Sequence, residues 1–115
     1  MRRGVGKYNV APAEERTHDG IVFDSKRELR EWLNFNILER TGLVTELRRQ
    51  VKFDLHCFTD VSQSPVKVST YIADMVCLDN NGNLCVYDVK GVKTAMYRLK
   101  KKWVEAEYGV RIVEL

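Results

Sequence analysis

The chain has 115 residues, 44% of them hydrophobic and 30% charged, with a formal net charge of +3. That is the length and composition of one ordinary globular domain, too short for two separate cores. No apolar run approaches the roughly 18 residues a membrane helix requires, and the N-terminus has no signal-type apolar stretch, so no membrane role and a cytoplasmic location are expected.

Residues 1–20 mix Gly, Pro, Ala, Glu and Arg without periodicity. They read as a mobile basic arm carrying Arg2, Arg3, Lys7 and Arg16, which ends in a short strand at Ile21-Val22-Phe23. His18 reads as a solvated loop histidine. Residues 21–115 read as a single domain.

Asp24 to Thr41 has helical spacing, with Leu29, Trp32, Leu33 and Ile37 as its apolar stripe. Ser25 and Glu28 have the form of a capping box, and Gly42 supplies the stop. Glu28 therefore has two readings: a cap, or an acid at the start of the helix looking into a site at the domain's edge. Leu43 to Phe58 switches to strand chemistry, with a bulge or bend expected around Leu47 to Val51 and Gln50 inside that irregular part. Thr59 to Pro65 is a polar loop. Val66 to Leu78 and Leu84 to Val89 are the next two strands. Thr94 to Tyr108 is helical again, with Met96, Leu99, Trp103 and Ala106 as the expected buried stripe and Gly109 closing it. Val110 to Val113 is a last short strand.

The order is helix, three strands, helix, strand, an α/β arrangement. The first three strands form an antiparallel meander, and the last can join the sheet in parallel because a helix intervenes. Apolar residues on both faces of the central hairpin predict a mixed sheet flanked by helices.

That hairpin, Tyr71 to Gly91, organises the chain. Asn80 to Gly82 fits a three-residue loop, with Gly82 at the left-handed position. If Asp79 faces Asn83, Asp74 stands opposite Asp88, Cys77 stands opposite Cys85, and Lys90 shares the face of Asp88 by the two-residue alternation of strands. Cys57, Cys77 and Cys85 follow no zinc or disulfide spacing and read as small core residues.

Two adjacent carboxylates repel each other unless a cation intervenes. A magnesium ion accepts such a pair, with a backbone carbonyl such as that of Val89 and with waters or phosphate completing its shell. Lys90 would then face the attacking water or the scissile phosphate. The alternative is an ion pair in which Lys90 merely neutralises two aspartates at the hairpin's end, and spacing does not decide between them. Basic clusters at Arg48, Arg49 and Lys52, and at Lys93, Arg98, Lys100, Lys101 and Lys102, are what phosphate binding would leave, or simply solvated faces.

The segments FDSKRE (Phe23 to Glu28), QVKF (Gln50 to Phe53), YIAD (Tyr71 to Asp74) and YDVKG (Tyr87 to Gly91), followed by Thr94, Tyr97 and Lys100-Lys101-Lys102, resemble the PD-(D/E)XK nuclease superfamily, and within it small phage and prophage proteins of unknown function. The resemblance covers about residues 20–115. It implies a restriction-endonuclease-like core and Mg²⁺- or Mn²⁺-dependent phosphodiester hydrolysis. Asp74 and Asp88 would be metal ligands, Lys90 the catalytic lysine, Glu28 the helical acid and Gln50 a supporting site residue. Ala73 stands where the motif's name has proline.

The expected function is a DNA endonuclease, phage-encoded, acting in the host cytoplasm as a homodimer and selective for branched structures such as Holliday junctions, since no base-reading motif is visible. The alternatives are a catalytically silent nucleic-acid-binding or scaffold protein on the same fold, and an ion-paired structural domain.

Overall fold

The computed structural model describes residues 10–61 and 63–115, so Arg2, Arg3 and Lys7 lie outside the described residues. A short 3-10 turn, Ala13–Arg16, leads into a two-stranded ribbon, β1 (Thr17–His18) with β2 (Ile21–Val22). The ribbon turns at Asp19-Gly20, where both residues have positive φ, 51° and 78°. An Asp-Gly pair is the sequence signal for this turn. Part of the segment expected to be a mobile arm is therefore a built hairpin. Arg16, expected among the arm's free cations, is used internally: its Nε donates to Ala11 O at 2.9 Å and its Nη1 to Phe23 O.

Helix α1 spans Lys26–Arg40 and starts as the sequence indicates, with Ser25 Oγ accepting from the Glu28 N–H at 3.0 Å. A four-stranded sheet follows. It consists of β3 (Thr45–Cys57), β4 (Val66–Leu78), β5 (Leu84–Asp88) and β6 (Ile112–Glu114), in the order β3-β4-β5-β6. β3, β4 and β5 are antiparallel neighbours, and β6 lies parallel to β5 after helix α2, Ala95–Tyr108. The expected bend in β3 is present as a register shift between Thr45 and Arg48, with positive φ at Glu46 and Gln50.

The β4–β5 register is the expected one: Met75 pairs with Tyr87, and Cys77 with Cys85. Asp79 N donates to Asn83 O at 3.0 Å, and Gly82 at φ 80° makes the left-handed corner that L side chains rarely adopt. The three cysteines are free thiols.

The core is split by the sheet. On one side Phe53, Leu55, Ala73, Val76, Val86 and Ile112 pack with Tyr97 and Val104 of α2. On the other, Met75, Cys77 and Val44 pack with Phe35 of α1. Each large side chain fully withdrawn from water, such as Leu55, contributes about 1.5–3 kcal/mol.

Both helices are rotated from their expected faces. On α2 the buried residues are Tyr97 and Val104, whereas Met96, Leu99 and Ala106 are exposed and Trp103 is half-buried. The reason is that amphipathic residues count as polar in a periodicity argument. Tyr97 buries its ring, and Lys100 lays its stem inward so that Nζ reaches Thr70 O at 3.0 Å. On α1 the inward residues are Glu28 and Phe35, with Trp32 and Leu38 against the core, while Ile37 is 49% exposed. Glu28, expected beside the stripe, is within it. No helix among the described residues is long and apolar enough to cross a membrane.

Candidate active site

The β4–β5 ladder ends at Met75 and Tyr87, one residue short of the two aspartates. Beyond it β4 and β5 part, and side chains take over from the backbone. Asp88 Oδ1 accepts from the Asp74 N–H at 3.1 Å, and Asp74 Oδ2 accepts from the Val89 N–H at 2.8 Å. Each carboxylate thus supplies an acceptor to a backbone N–H just past the end of the ladder.

Each carboxylate keeps a second oxygen. Among the described residues, Asp74 Oδ1 has only a long contact from Gln50 Nε2, 3.4 Å. Asp88 Oδ2 is buried and has no hydrogen-bond partner among the described residues. The surroundings differ too. Asp88 is fully buried, with Lys90, Glu114 and Lys101 as its charged neighbours, while Asp74 meets Gln50 beside the start of α1. The register that places Asp74 opposite Asp88 is the expected one, and the two carboxylates sit in different surroundings just past the end of the ladder.

Glu28 comes from the first turn of α1. Its Oε2 accepts from Gln50 Nε2 at 3.3 Å and lies 3.8 Å from Arg49 Nη2. The Gln50 amide therefore bridges the acids of α1 and β4. It does so from a strained backbone, with φ 54° in the left-handed region that costs a non-glycine residue about 1–3 kcal/mol. Arg49, expected on a nucleic-acid face, instead lies 4.6 Å above the Phe23 ring and beside Glu28.

All three acids are harder to ionise than free carboxylates. Burial, then the charges of Asp74 and Asp24, push Glu28 from 4.5 to about 7 against the pull of Arg49. Burial pushes Asp88 from 3.8 to about 6, opposed by Lys90. Burial raises Asp74 as well, partly offset by the Val89 N–H and Lys90. Withdrawn carboxylates of this kind mark sites where charge has a purpose.

A cleft of about 430 Å³ opens on Glu28 and Asp74, lined also by Asp24, Ser25, Val89, Lys90, Gly91 and Val92, with Val10 at its edge, while Asp88 lies buried behind it and is not part of its lining. Asp24 was not singled out by sequence. Its place next to the capping serine was the available signal. Lys90 lies in the cleft wall and makes no ion pair among the described residues, its Nζ resting 4.9 Å from the centre of the Tyr97 ring.

Among the described residues no three acidic, histidine or cysteine side chains gather closely enough to enclose one ion. An open site of two carboxylates and a carbonyl is what magnesium usually accepts, because it keeps several waters. The unpartnered buried oxygen of Asp88 fits a cation, since an unpaired buried anion is costly. Asp74 and Asp88 with the Val89 carbonyl would be the protein's donors, and hard oxygens of this kind suit magnesium or manganese.

The basic residues divide. Lys93 Nζ pairs with Glu114 Oε1 at 3.1 Å, Lys101 Nζ with Glu114 Oε2 at 3.6 Å, and Lys100 is committed to Thr70 O. Arg48, Arg98 and Lys102 are exposed and make no ion pair among the described residues.

A family model described as protein of unknown function (DUF1064) matches residues 6–113. Among curated proteins and solved structures, none matches the chain.

Proposed function

The chain belongs to the family described as protein of unknown function (DUF1064), and we propose that it is a divalent-metal-dependent endonuclease of PD-(D/E)XK type that hydrolyses phosphodiester bonds in DNA. The observation that carries this reading is the buried Asp88 Oδ2, without a partner among the described residues, at a fork where Asp74 also has an oxygen to offer and a lysine with no ion pair among those residues stands in the cleft wall. A purely structural fork would need one acceptor oxygen from each aspartate and neither of the others.

Bound there, magnesium or manganese would offset phosphate charge and acidify a water. The chain's own residues do the rest. Asp74 Oδ1 and Asp88 Oδ2 would hold the ion, each carboxylate being fixed through its other oxygen by a backbone N–H. Lys90 places a cation and its donors against the scissile phosphate. Glu28, raised to about 7, exchanges a proton near neutrality and serves as the group that orients and deprotonates the attacking water. Gln50 holds Glu28 and Asp74 in one geometry. Arg48, Arg98 and Lys102 supply the cations for backbone phosphates.

DNA is the proposed partner, with shape rather than base sequence as the basis of choice. Two copies would let two sites cut two strands of a branched substrate. The test is incubation of supercoiled plasmid and a four-way junction with the protein, with and without Mg²⁺. Cutting that disappears in EDTA and in Asp88→Asn supports the reading. Salt-sensitive binding without cutting, in fresh protein with either Mg²⁺ or Mn²⁺, supports instead the silent nucleic-acid-binding protein.

A further inference from the structure

We propose that Tyr97 is a positioning residue for Lys90: its ring face holds the ammonium out of the aspartates' reach, and Glu114 locks the ring. The inference rests on the nuclease reading for its catalytic meaning, but not for its geometry.

Lys90 lies two residues beyond Asp88 and near Asp74, and both carboxylates feel its charge. A flexible four-carbon stem beside two buried acids would be expected to collapse onto one of them. It does not. Its nitrogen lies over the Tyr97 ring, 4.9 Å from the centroid, within the range of a cation–π contact. An ammonium spent in an ion pair could not serve a phosphate, so the ring keeps Lys90 available.

The ring is itself fixed. Tyr97 is 9% exposed, and its hydroxyl donates to Glu114 Oε2 at 2.7 Å. Glu114 is gripped on both oxygens, by Lys93 on one and by Lys101 with Tyr97 on the other. Its residue stands opposite Asp88 across the parallel β5–β6 pair. The ring that places the lysine is thus keyed to the strand that carries the aspartate. The Thr94 cap adds to this, its Oγ1 accepting from the Tyr97 N–H at 3.1 Å. On this view Lys93 and Lys101, which sequence placed on a nucleic-acid face, serve the site from behind.

The test uses the metal-free full chain in EDTA and the same chain with Mg²⁺. In the metal-free protein, the ε-methylene protons of Lys90, assigned by their loss in Lys90→Met, are expected upfield of those of the other lysines because they lie over an aromatic face. Tyr97→Phe keeps the ring but frees it from Glu114, so it should reduce that shift without abolishing it. Tyr97→Leu should abolish it, and Glu114→Gln should reduce it while leaving the fold intact. If Tyr97→Leu does not fold, the Phe and Gln variants still decide the matter. In cutting assays Tyr97→Leu should lower kcat by about 100-fold, as expected for a misplaced catalytic group, with KM within about threefold, and Tyr97→Phe should recover most of the rate. A Lys90 signal at the ordinary lysine position in the native chain overturns the proposal, as does a kcat that falls equally in Tyr97→Phe and Tyr97→Leu. If the native chain cuts no DNA, the nuclease reading fails, and the NMR arm still decides whether Tyr97 holds Lys90.

Discussion

Asp88 accepts a hydrogen bond from the backbone N–H of Asp74 through one carboxylate oxygen and leaves the other buried with no partner among the described residues. A single side chain is thus both a splint for the strand fork and an uncompensated acceptor. The two roles separate by mutation, because they belong to different oxygens.

Asp88→Asn keeps an acceptor for the Asp74 N–H and removes a buried charge. In EDTA its thermal midpoint is expected to equal or exceed that of the native chain. The rise in midpoint that Mg²⁺ gives the native protein should vanish, and cutting with it. Asp88→Ala removes the acceptor as well and leaves a buried N–H unpaired, so it should lose about 1–3 kcal/mol in urea unfolding.

The metal-free protein should become less stable as pH rises from about 4 to about 7. Asp88, Asp74 and Glu28 all have folded pKa values above their ordinary ones, near 6 for Asp88 and 7 for Glu28. Between the two sets of values the folded chain holds protons that the unfolded chain has released, so stability is full below the unfolded pKa and is lost as pH passes the folded one. Glu114 acts in the opposite sense. Its pKa is pulled down to about 2 by the Tyr97 hydroxyl and Lys93, so its contribution is lost only below about pH 4. Added Mg²⁺ should restore stability at pH 7.5 and do little at pH 5. Thermal midpoints against pH check this, and Glu28→Gln with Asp88→Asn should flatten the slope.

Gln50 separates strain from function. Gln50→Gly relieves the positive φ and should be more stable than Gln50→Ala by about 1 kcal/mol. Both lose the amide that bridges Glu28 and Asp74, so both should lower cutting alike. Equal stability of the two variants in urea would remove the strain, and native activity in either would remove the bridge.

Arg98→Ala and Lys102→Ala should each weaken binding on all DNA sequences and reduce the slope of log K against log salt by about 1. Lys101→Ala should leave that slope nearly unchanged, because its ammonium is engaged with Glu114. Binding isotherms at four or five salt concentrations check the distinction.

Much of this molecule is legible in the residue order. The start of α1 follows from Ser25, the β4–β5 register from a turn that needs Gly82 in the left-handed region, and the bend in β3 from its broken alternation. These are contacts between near neighbours in the chain, where period and turn chemistry act directly. The Asp19-Gly20 ribbon was equally local, and its signal is the dipeptide itself.

What the order of residues did not determine is which groups meet across elements. The inward faces of both helices depend on how Tyr97, Lys100 and Glu28 divide each side chain between apolar body and polar end, and only the facing surface settles that. Whether Lys93 and Lys101 face solvent or Glu114 depends on β6 arriving beside β5 after the whole of α2 has intervened. Local sequence specifies the elements because backbone hydrogen bonding and side-chain period act over a few residues. Charge pairing acts through space, and the tertiary structure decides it.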